Sequence, residues 1–438
     1  MEKIFKLKEK GSTVSKEILG GLVTFFAMSY IIFVNPSFLS QTGMNPLAVM
    51  LATCIASAIG CILTGFMANV PFAQAPGMGL NAFFTYSVCF GMGYSWQQGL
   101  AIVFLSGILF FVLMVSPLRS KLIASIPSFL KSAVSAGIGL FIAFIGLINA
   151  GIVVGYGEGV GVYTDLGAIT RGAPLLTLIG LIITSLLLVW RVKGAIIIGI
   201  IATTVIGIPF GLTSYSPSAM DFSVFGEIFG KLSFVGLTAV EGGALTLFTA
   251  IISFFIVDCF DTAGTLVGCA ANADMLNDKG ELPQGDKAML ADAIATVIGS
   301  VCGTSTVTTY VESSTGIAEG ARTGLSSIIV GILFILACFL LPIAGIVPGA
   351  ATAPALIIVG VYMLAGAAKI NWTDMEEAIP AFLTIAVMPF TYSISNGIGF
   401  GFITHAIIKI CRGKANEVPV LIYIISVVFI IMYILIGL

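Results

Sequence analysis

The chain has 438 residues, of which 58% are hydrophobic and 9% are charged, and its mean hydropathy is +1.11. A soluble protein normally carries about 25% charged residues, and a membrane β-barrel shows short alternating segments in place of continuous apolar runs. The composition therefore predicts an all-α polytopic protein of the lipid bilayer. The net charge of −2 argues against a nucleic-acid partner, which would require clustered basic surface.

Apolar length and the breakers between apolar runs predict about fourteen transmembrane spans. In chain order they lie near residues 17–40, 46–68, 72–92, 97–116, 127–150, 174–190, 195–213, 245–268, 288–302, 305–320, 324–345, 350–368, 378–411 and 419–438. The apolar stretch after the basic N-terminus is long and lacks an obvious small-x-small cleavage site, so we expect a retained first span and not a signal peptide.

The placement of lysine and arginine predicts the orientation, because short cytoplasmic loops carry the positive excess. The basic residues expected on the N-terminal side are Lys3, Lys6, Lys8, Lys10, Lys16, Arg119, Lys121, Lys131, Arg191, Lys193, Lys279, Lys287, Arg322 and Lys369. Arg171 and Lys231 fall on the opposite side. We therefore expect a multi-pass protein of the plasma membrane with its N-terminus in the cytoplasm.

The predicted span at 378–411 does not fit this pattern. As one helix it would be about 51 Å long, against about 30 Å of hydrocarbon, and it would leave Lys409, Arg412 and Lys414 outside. A turn within "PFTYSISNG", residues 389–397, would make a hairpin of two short helices and return this basic cluster to the cytoplasm. The sequence leaves both arrangements open.

Two predicted spans share an unusual pattern. Residues 69–87 and 303–320 each begin with an extended or proline-containing piece and continue as a short helix with glycines. They are the third and tenth spans, seven apart, as expected for an inverted-repeat transporter with a site at mid-membrane depth. Unwound backbone cannot face lipid, so these segments must line protein or a wet cavity.

Acidic residues lie in the same predicted spans. Asp258 and Asp261 are three residues apart in the eighth span, where a carboxylate costs at least ~2.5 kcal/mol at the bilayer centre. Asp258, Asp261 and Thr265 share one helix face. Glu312 stands where the helical part of the tenth span begins, and Gln74 and Asn81 hold comparable places in the third. These six polar side chains are expected to converge on one cavity.

Structural explanations remain open for each of these residues. The two aspartates can be a pair satisfied by backbone groups or by Arg322, and Glu312 can serve only to favour a helix dipole. Asn81 can be a helix-packing amide, and His405, the single histidine, is expected to be a packing residue.

No disulfide framework, metal site or cofactor is expected. The eight cysteines lie in or beside apolar segments without a Cys-x-x-Cys pair, which favours buried packing roles. Carboxylates and amides with aromatic neighbours suit a flat, neutral heterocycle that carries N–H donors and ring acceptors. The aromatic residues near the acids in the sequence are Phe83, Phe84, Tyr86, Phe254, Phe260 and Tyr310. An anion fits less well, because two carboxylates would repel it.

The sequence closely resembles a known transporter family. The segments that carry the resemblance are "GGLVTFFAMSYIIFVNP" (residues 20–36), "APGMGLNAFFTY" (75–86), "VDCFDTAGTL" (257–266) and "TSTVTTYVESSTGIAEGARTGL" (304–325). They resemble the AzgA-like branch of the nucleobase-cation symporter-2 (nucleobase-ascorbate transporter) family, the hypoxanthine, guanine and adenine permeases. The "ESSTG" element favours this purine branch over the uracil, xanthine and ascorbate branches.

The resemblance implies two inverted sets of seven spans, with short strands in spans 3 and 10. It also implies a core domain, a gate domain and a possible homodimer. The core domain would comprise residues 1–116 and 240–345, and the gate domain 117–215 and 346–438. A purine would bind between spans 3, 8 and 10, at the side chains of Asp261, Glu312 and Asn81 and at backbone groups of Tyr310 and Val311. Asp258 is shared by the branch.

These expectations combine into a proton-coupled purine importer that works by alternating access, and not an enzyme. Asp258, Asp261 and Glu312 are the candidate proton carriers, because burial and a like-charged neighbour favour the neutral form of a carboxyl group. The rivals are an anion transporter of the same architecture, for sulfate or bicarbonate, a passive channel, and an intramembrane aspartyl protease. The protease fits poorly, because two acids three residues apart on one helix make a poor catalytic dyad.

Overall fold

A computed structural model describes residues 2–117, 127–156, 163–213, 221–271, 275–277, 282–340, 342 and 346–436. Arg119, Lys121 and Lys279 of the predicted cytoplasmic set, and the predicted domain ends at 215, 345 and 438, lie outside the described residues.

The described residues of the first half of the chain form helices and three short strands. Its described elements are α1 (Glu2–Phe5), α2 (Val14–Met28), α3 (Ile31–Leu39), α4 (Pro46–Met67), β1 (Gln74–Pro76), α5 (Met78–Ala82, continued by a π-helix at Phe83–Gly91), α6 (Trp96–Val115), α7 (Ser128–Asn149), β2 (Val153–Tyr156), β3 (Tyr163–Leu166), α8 (Gly172–Val189) and α9 (Ala195–Gly207). The β2–β3 hairpin was not expected from the sequence.

The described residues of the second half are also mainly helical, with one short strand. Its described elements are α10 (Gly243–Ala271), α11 (Gly285–Cys302), β4 (Val307–Thr309), α12 (Ser313–Ala318), α13 (Gly324–Ala337), α14 (Gly349–Leu364), α15 (Met375–Phe390), α16 (Ile394–Cys411) and α17 (Val420–Ile436).

Within the described ranges, eight helical segments of at least 18 residues are apolar enough to cross a bilayer, and three shorter apolar helices accompany them. Their length and composition support a multi-pass helical membrane protein. The total of fourteen spans stays a prediction.

The predicted single span at 378–411 is wrong, and the hairpin is what forms. Helix α15 ends at Phe390 and α16 begins at Ile394, with Tyr392 between them in the left-handed region at φ +52°. The two helices pack against each other, so that Lys409 lies 3.1 Å and Arg412 2.8 Å from the carboxylate of Glu376. The basic cluster therefore lies at the same end of the hairpin as the start of α15.

The two broken spans contain the short strands that the resemblance implied, and the structure shows that these strands pair with each other. β1 and β4 are antiparallel, with Gln74 opposite Thr309 and Pro76 opposite Val307. Tyr310 N–H donates to the Ala73 carbonyl at 2.9 Å and extends the ladder by one bond. The extended backbone thus satisfies its polar groups inside the protein, as a low-dielectric environment demands.

The helices fall into two packed groups. One contains α2–α6 and α10–α13 with the β1–β4 pair, and the other contains α7–α9 and α14–α17. Small residues allow close approach in the first group: a Cβ atom on Gly65 of α4 would lie 2.6 Å from the carbonyl oxygen of Gly324, at the start of α13. The candidate site lies where the two groups face each other.

Candidate functional site

A cavity of about 590 Å³ lies between the two groups of helices. The first group contributes Asp261, Thr265, Val311 and Glu312 to its wall, and the second contributes the turn between α8 and α9 and the Tyr362 side of α14. A smaller cavity of about 70 Å³ shares the same four residues and adds Tyr30, the end of β4 and the residues that directly follow β1. Four of the predicted site residues therefore line one hollow.

Asp261 and Thr265 reach this hollow from the same face of α10. They are four residues apart, so that their side chains lie one turn from each other on the helix, and both are half-buried. The predicted i, i+3, i+7 face exists, but only two of its three members line the cavity.

Glu312 lies between the end of β4 and the start of α12. One of its carboxylate oxygens, Oε1, accepts a hydrogen bond of 2.7 Å from the hydroxyl of Tyr30. The preceding residue, Val311, borders both cavities and is 52% exposed. Glu312 and Asp261 thus approach the hollow from different spans.

Tyr310 lines the smaller cavity, but its backbone is engaged elsewhere. Its N–H donates to Ala73, its carbonyl accepts from Ser313, and its hydroxyl donates to the Pro76 carbonyl at 2.6 Å. These bonds tie β4 to β1 and leave Tyr310 as a wall of the cavity.

Asn81 is fully buried and lines neither cavity. Its side-chain oxygen accepts a hydrogen bond from the Ser305 hydroxyl. Its side-chain nitrogen has no hydrogen-bond partner within the described part of the chain. In this conformation Asn81 joins α5 to the segment before β4 and does not reach the hollow.

Asp258 is also fully buried behind the cavity. The Thr296 hydroxyl of α11 donates to its Oδ2 at 3.0 Å. Arg322 does not neutralise it, because the guanidinium donates instead to the carbonyls of Ile317 and Ala321, each at 2.7 Å.

The sequence reasoning missed Asp292 of α11. This fully buried carboxylate accepts hydrogen bonds through Oδ1 from the Gln74 amide at 3.1 Å and from the Thr309 hydroxyl at 3.2 Å. The rule that singled out Asp258 and Asp261, an acid within a predicted apolar span, applies equally to Asp292 and would have found it. Tyr30 and Tyr362 were missed as well, because tyrosines within apolar spans are common.

Three other residues singled out from the sequence, Phe83, Phe254 and His405, are packed in the protein interior. Phe83 and Phe254 form a buried ring pair with centroids 4.6 Å apart. His405 is buried, with its ring 5.3 Å from that of Phe129. These positions agree with packing roles.

Comparison with known proteins places this architecture in a family. A family model described as "Permease family" matches residues 15–400. The chain is 45% identical to the guanine/hypoxanthine permease PbuG of Bacillus subtilis, over 99% of each chain. It is 39% identical to the adenine permease AdeP of Escherichia coli, over 98% of this chain and 95% of that one.

The fold also resembles a solved structure. The transmembrane domain of the cyanobacterial bicarbonate transporter BicA superposes with a TM-score of 0.65 at 14% identity, over 87% of this chain and 97% of that one. At this identity the likeness concerns the fold alone. The sequence matches decide the family: the chain belongs to the matched permease family and, as its motifs predicted, to the nucleobase-cation symporter-2 group of transporters.

Proposed function

We propose that this protein imports purine nucleobases across the plasma membrane. The observation that carries the proposal is the convergence of Asp261 and Glu312, from two different spans, on one cavity of about 590 Å³. That volume lies within the about 300–1,000 Å³ typical of small-molecule sites. Named purine permeases that match nearly the whole chain support the same substrate class.

The chemistry of the hollow suits a neutral purine. Carboxylates accept hydrogen bonds from ring and exocyclic N–H groups, and the Thr265 hydroxyl can donate to a ring nitrogen or a carbonyl oxygen. Val311 and Met363 supply apolar surface for a flat ring. Asp261, Glu312 and Thr265 are therefore the proposed binding side chains, with Tyr310 and Val311 as walls.

The rival anion transporter has one supporting feature. Arg191 and Lys193 line the far end of the large cavity. Lys193, however, is paired with Glu319 at 2.5 Å, and an anion that reached the inner end would meet two carboxylates. The likeness to a bicarbonate transporter is one of fold. Competition of uptake by purines, and none by sulfate or bicarbonate, is the expected discrimination.

We further propose that uptake is coupled to protons. Asp258, Asp261 and Asp292 lie on two adjacent helices in and behind the cavity, and acids within a membrane protein commonly form proton pathways. Loss of a charge lowers the cost of closing the site around a neutral ring, so binding and proton uptake would favour each other. Asp258, Asp261 and Glu312 remain the candidate carriers.

Alternating access would come from movement of the first helix group, as core, against the second, as gate. The large cavity is lined in part by Arg191 and Lys193, two exposed residues that the charge pattern assigns to the cytoplasm. On the opposite side the π-helix after α5 touches the tip of the α15–α16 hairpin through Tyr86 and Tyr392. This is the arrangement expected of an inward-open transporter. The homodimer stays a prediction.

The test is uptake of radiolabelled hypoxanthine, guanine and adenine by cells that lack their own purine permeases. We expect saturable uptake of at least one of them and its collapse on addition of a protonophore. Uptake that persists without a proton gradient would contradict the proposed proton coupling. Absence of uptake for all three purines would contradict the proposed function.

A further inference from the structure

Tyr30 connects the first predicted span to the candidate site. It lies at the break between α2 and α3, where residues 29–30 leave the regular helix, and its side chain is 1% exposed. Its hydroxyl is 2.7 Å from Oε1 of Glu312, which is 282 positions away in the chain. Tyr30 also lines the smaller cavity together with Asp261 and Glu312.

The two ends of this hydrogen bond are held by rigid packing. Helix α2 lies so close to α12 that a Cβ atom on Gly20 would be 2.9 Å from the carbonyl oxygen of Gly316. On the other side of the break, the Tyr30 carbonyl accepts from the N–H of Val34 at 3.0 Å and starts α3. The backbone on both sides of this hydrogen bond is therefore closely packed, so the Tyr30 hydroxyl lies where it can hold the carboxylate of Glu312 in place.

The geometry points to Tyr30 as a positioning residue for substrate recognition, an inference that rests on the proposed function. The tyrosine hydroxyl donates its single hydrogen bond to Oε1. This bond fixes the plane of the carboxylate and directs its remaining acceptor sites into the cavity. Glu312 is thereby presented to N–H donors of a heterocycle. Tyr30 acts on the substrate through Glu312.

Removal of the Tyr30 hydroxyl tests its role in positioning Glu312 separately from the packing of the Tyr30 ring. Tyr30→Phe keeps the buried ring and deletes only the donor, so the fold should persist. The loss of one hydrogen bond to a charged group corresponds to roughly a tenfold weakening of substrate binding. We expect the KM for purine uptake to rise by about that factor, with the maximal rate per transporter at the cell surface nearly unchanged.

The chain offers a matched control. Tyr94 is 2% exposed, and its hydroxyl donates to the carbonyl of Leu237 at 3.1 Å. It lines neither cavity that contains Glu312. Tyr94→Phe removes the same group from an equally buried ring, so its KM should equal that of the wild type.

The experiment compares initial uptake rates over a range of purine concentrations for the wild type, Tyr30→Phe and Tyr94→Phe, corrected for surface amount. A raised KM in Tyr30→Phe alone supports the inference. An unchanged KM in Tyr30→Phe, or equal changes in both variants, overturns it.

A purified-protein measurement covers the case in which Tyr30→Phe shows no uptake. If its thermal unfolding midpoint equals that of the wild type, equilibrium binding of the same purine decides: a Kd raised about tenfold supports the inference, and an unchanged Kd overturns it. A midpoint well below that of the wild type overturns it too, because the hydroxyl would then be structural. A wild type that neither transports nor binds any purine would instead show that the proposed function is wrong.

Discussion

Gln74 of β1 and Thr309 of β4 stand opposite each other in the antiparallel strand pair, and both donate a hydrogen bond to the same oxygen of Asp292. One strand comes from each half of the chain. The buried carboxylate therefore joins the two broken spans directly behind the cavity. A hydrogen-bond acceptor at this position is required for both donors to be satisfied.

Replacement of Asp292 by alanine should destabilise the protein. It leaves the Gln74 amide and the Thr309 hydroxyl without their acceptor in the interior, at a cost of about 1–3 kcal/mol for each buried unsatisfied group. Thermal unfolding of the detergent-purified protein should show a clearly lowered midpoint. Asp292→Asn keeps an acceptor oxygen and should lose less; equal midpoints for Asp292→Ala and the wild type would contradict the structural role.

Tyr86 and Tyr392 form the contact that we propose to close the side of the molecule opposite the large cavity. Their ring centroids are 6.0 Å apart, and Phe141 and Phe144 of α7 pack on Tyr392 with centroids at 5.9 and 5.6 Å. The Tyr86 hydroxyl also donates to Gln41 at 3.0 Å. We expect Tyr392→Ala to weaken this closure and to increase the outward-open population.

Cysteine labelling measures that change. Met78 lines the smaller cavity and is 6% exposed, so Met78→Cys reports access from either side when Cys411, the exposed native cysteine, is first replaced by serine. A membrane-impermeant maleimide added outside should label Met78→Cys faster when Tyr392→Ala is present. Phe382→Ala, at a ring that is 59% exposed on α15, is the control. Equal labelling rates with and without Tyr392→Ala would exclude the proposed closure.

The pair Lys193–Glu319 links the two helix groups on the other side. Lys193 precedes α9 and Glu319 follows α12, with 2.5 Å between nitrogen and oxygen. Because both side chains are partly exposed, the pair is worth at most about 1 kcal/mol. Lys193→Glu should therefore change the uptake rate by no more than a few-fold, and the swap Lys193→Glu with Glu319→Lys should restore it.

The local pair Lys6–Glu9, at 3.1 Å, is the control for that experiment, since it lies within the N-terminal segment. Lys6→Glu should leave the uptake rate unchanged. A swapped Lys193–Glu319 pair that stays as impaired as Lys193→Glu would argue against a direct electrostatic link.

The sequence predicted those features that a short stretch of residues reveals by itself. A carboxylate within an apolar run is conspicuous, so Asp261 and Glu312 were identified. The proline and β-branched residues before two short helices indicated extended backbone there, but not that β1 and β4 pair with each other. Asn81 was expected in the cavity, but a buried amide satisfies its oxygen with whichever donor is nearest, here Ser305, and spacing does not reveal that partner.

Contacts between segments that are far apart in the chain could not be predicted from the sequence. A tyrosine within an apolar span is not unusual by itself, so Tyr30 could not be identified before the structure placed it beside Glu312. The length of residues 378–411 left both a hairpin and a single span open. In the structure the hairpin brings both ends of this stretch to one side, where Glu376 pairs with Lys409 and Arg412.

The most direct test of the central claim is purine uptake by Asp261→Asn and Glu312→Gln. Asp165→Asn and Glu9→Gln, which change exposed acids of the same types, serve as matched controls. Each variant is expressed in cells that lack their own purine permeases and is corrected for surface amount. We predict that the two cavity variants lose at least about 90% of uptake, as expected from the loss of one charge-assisted hydrogen bond to the substrate, while both controls keep it. Full uptake by Asp261→Asn and Glu312→Gln would contradict the assignment of these carboxylates to the substrate.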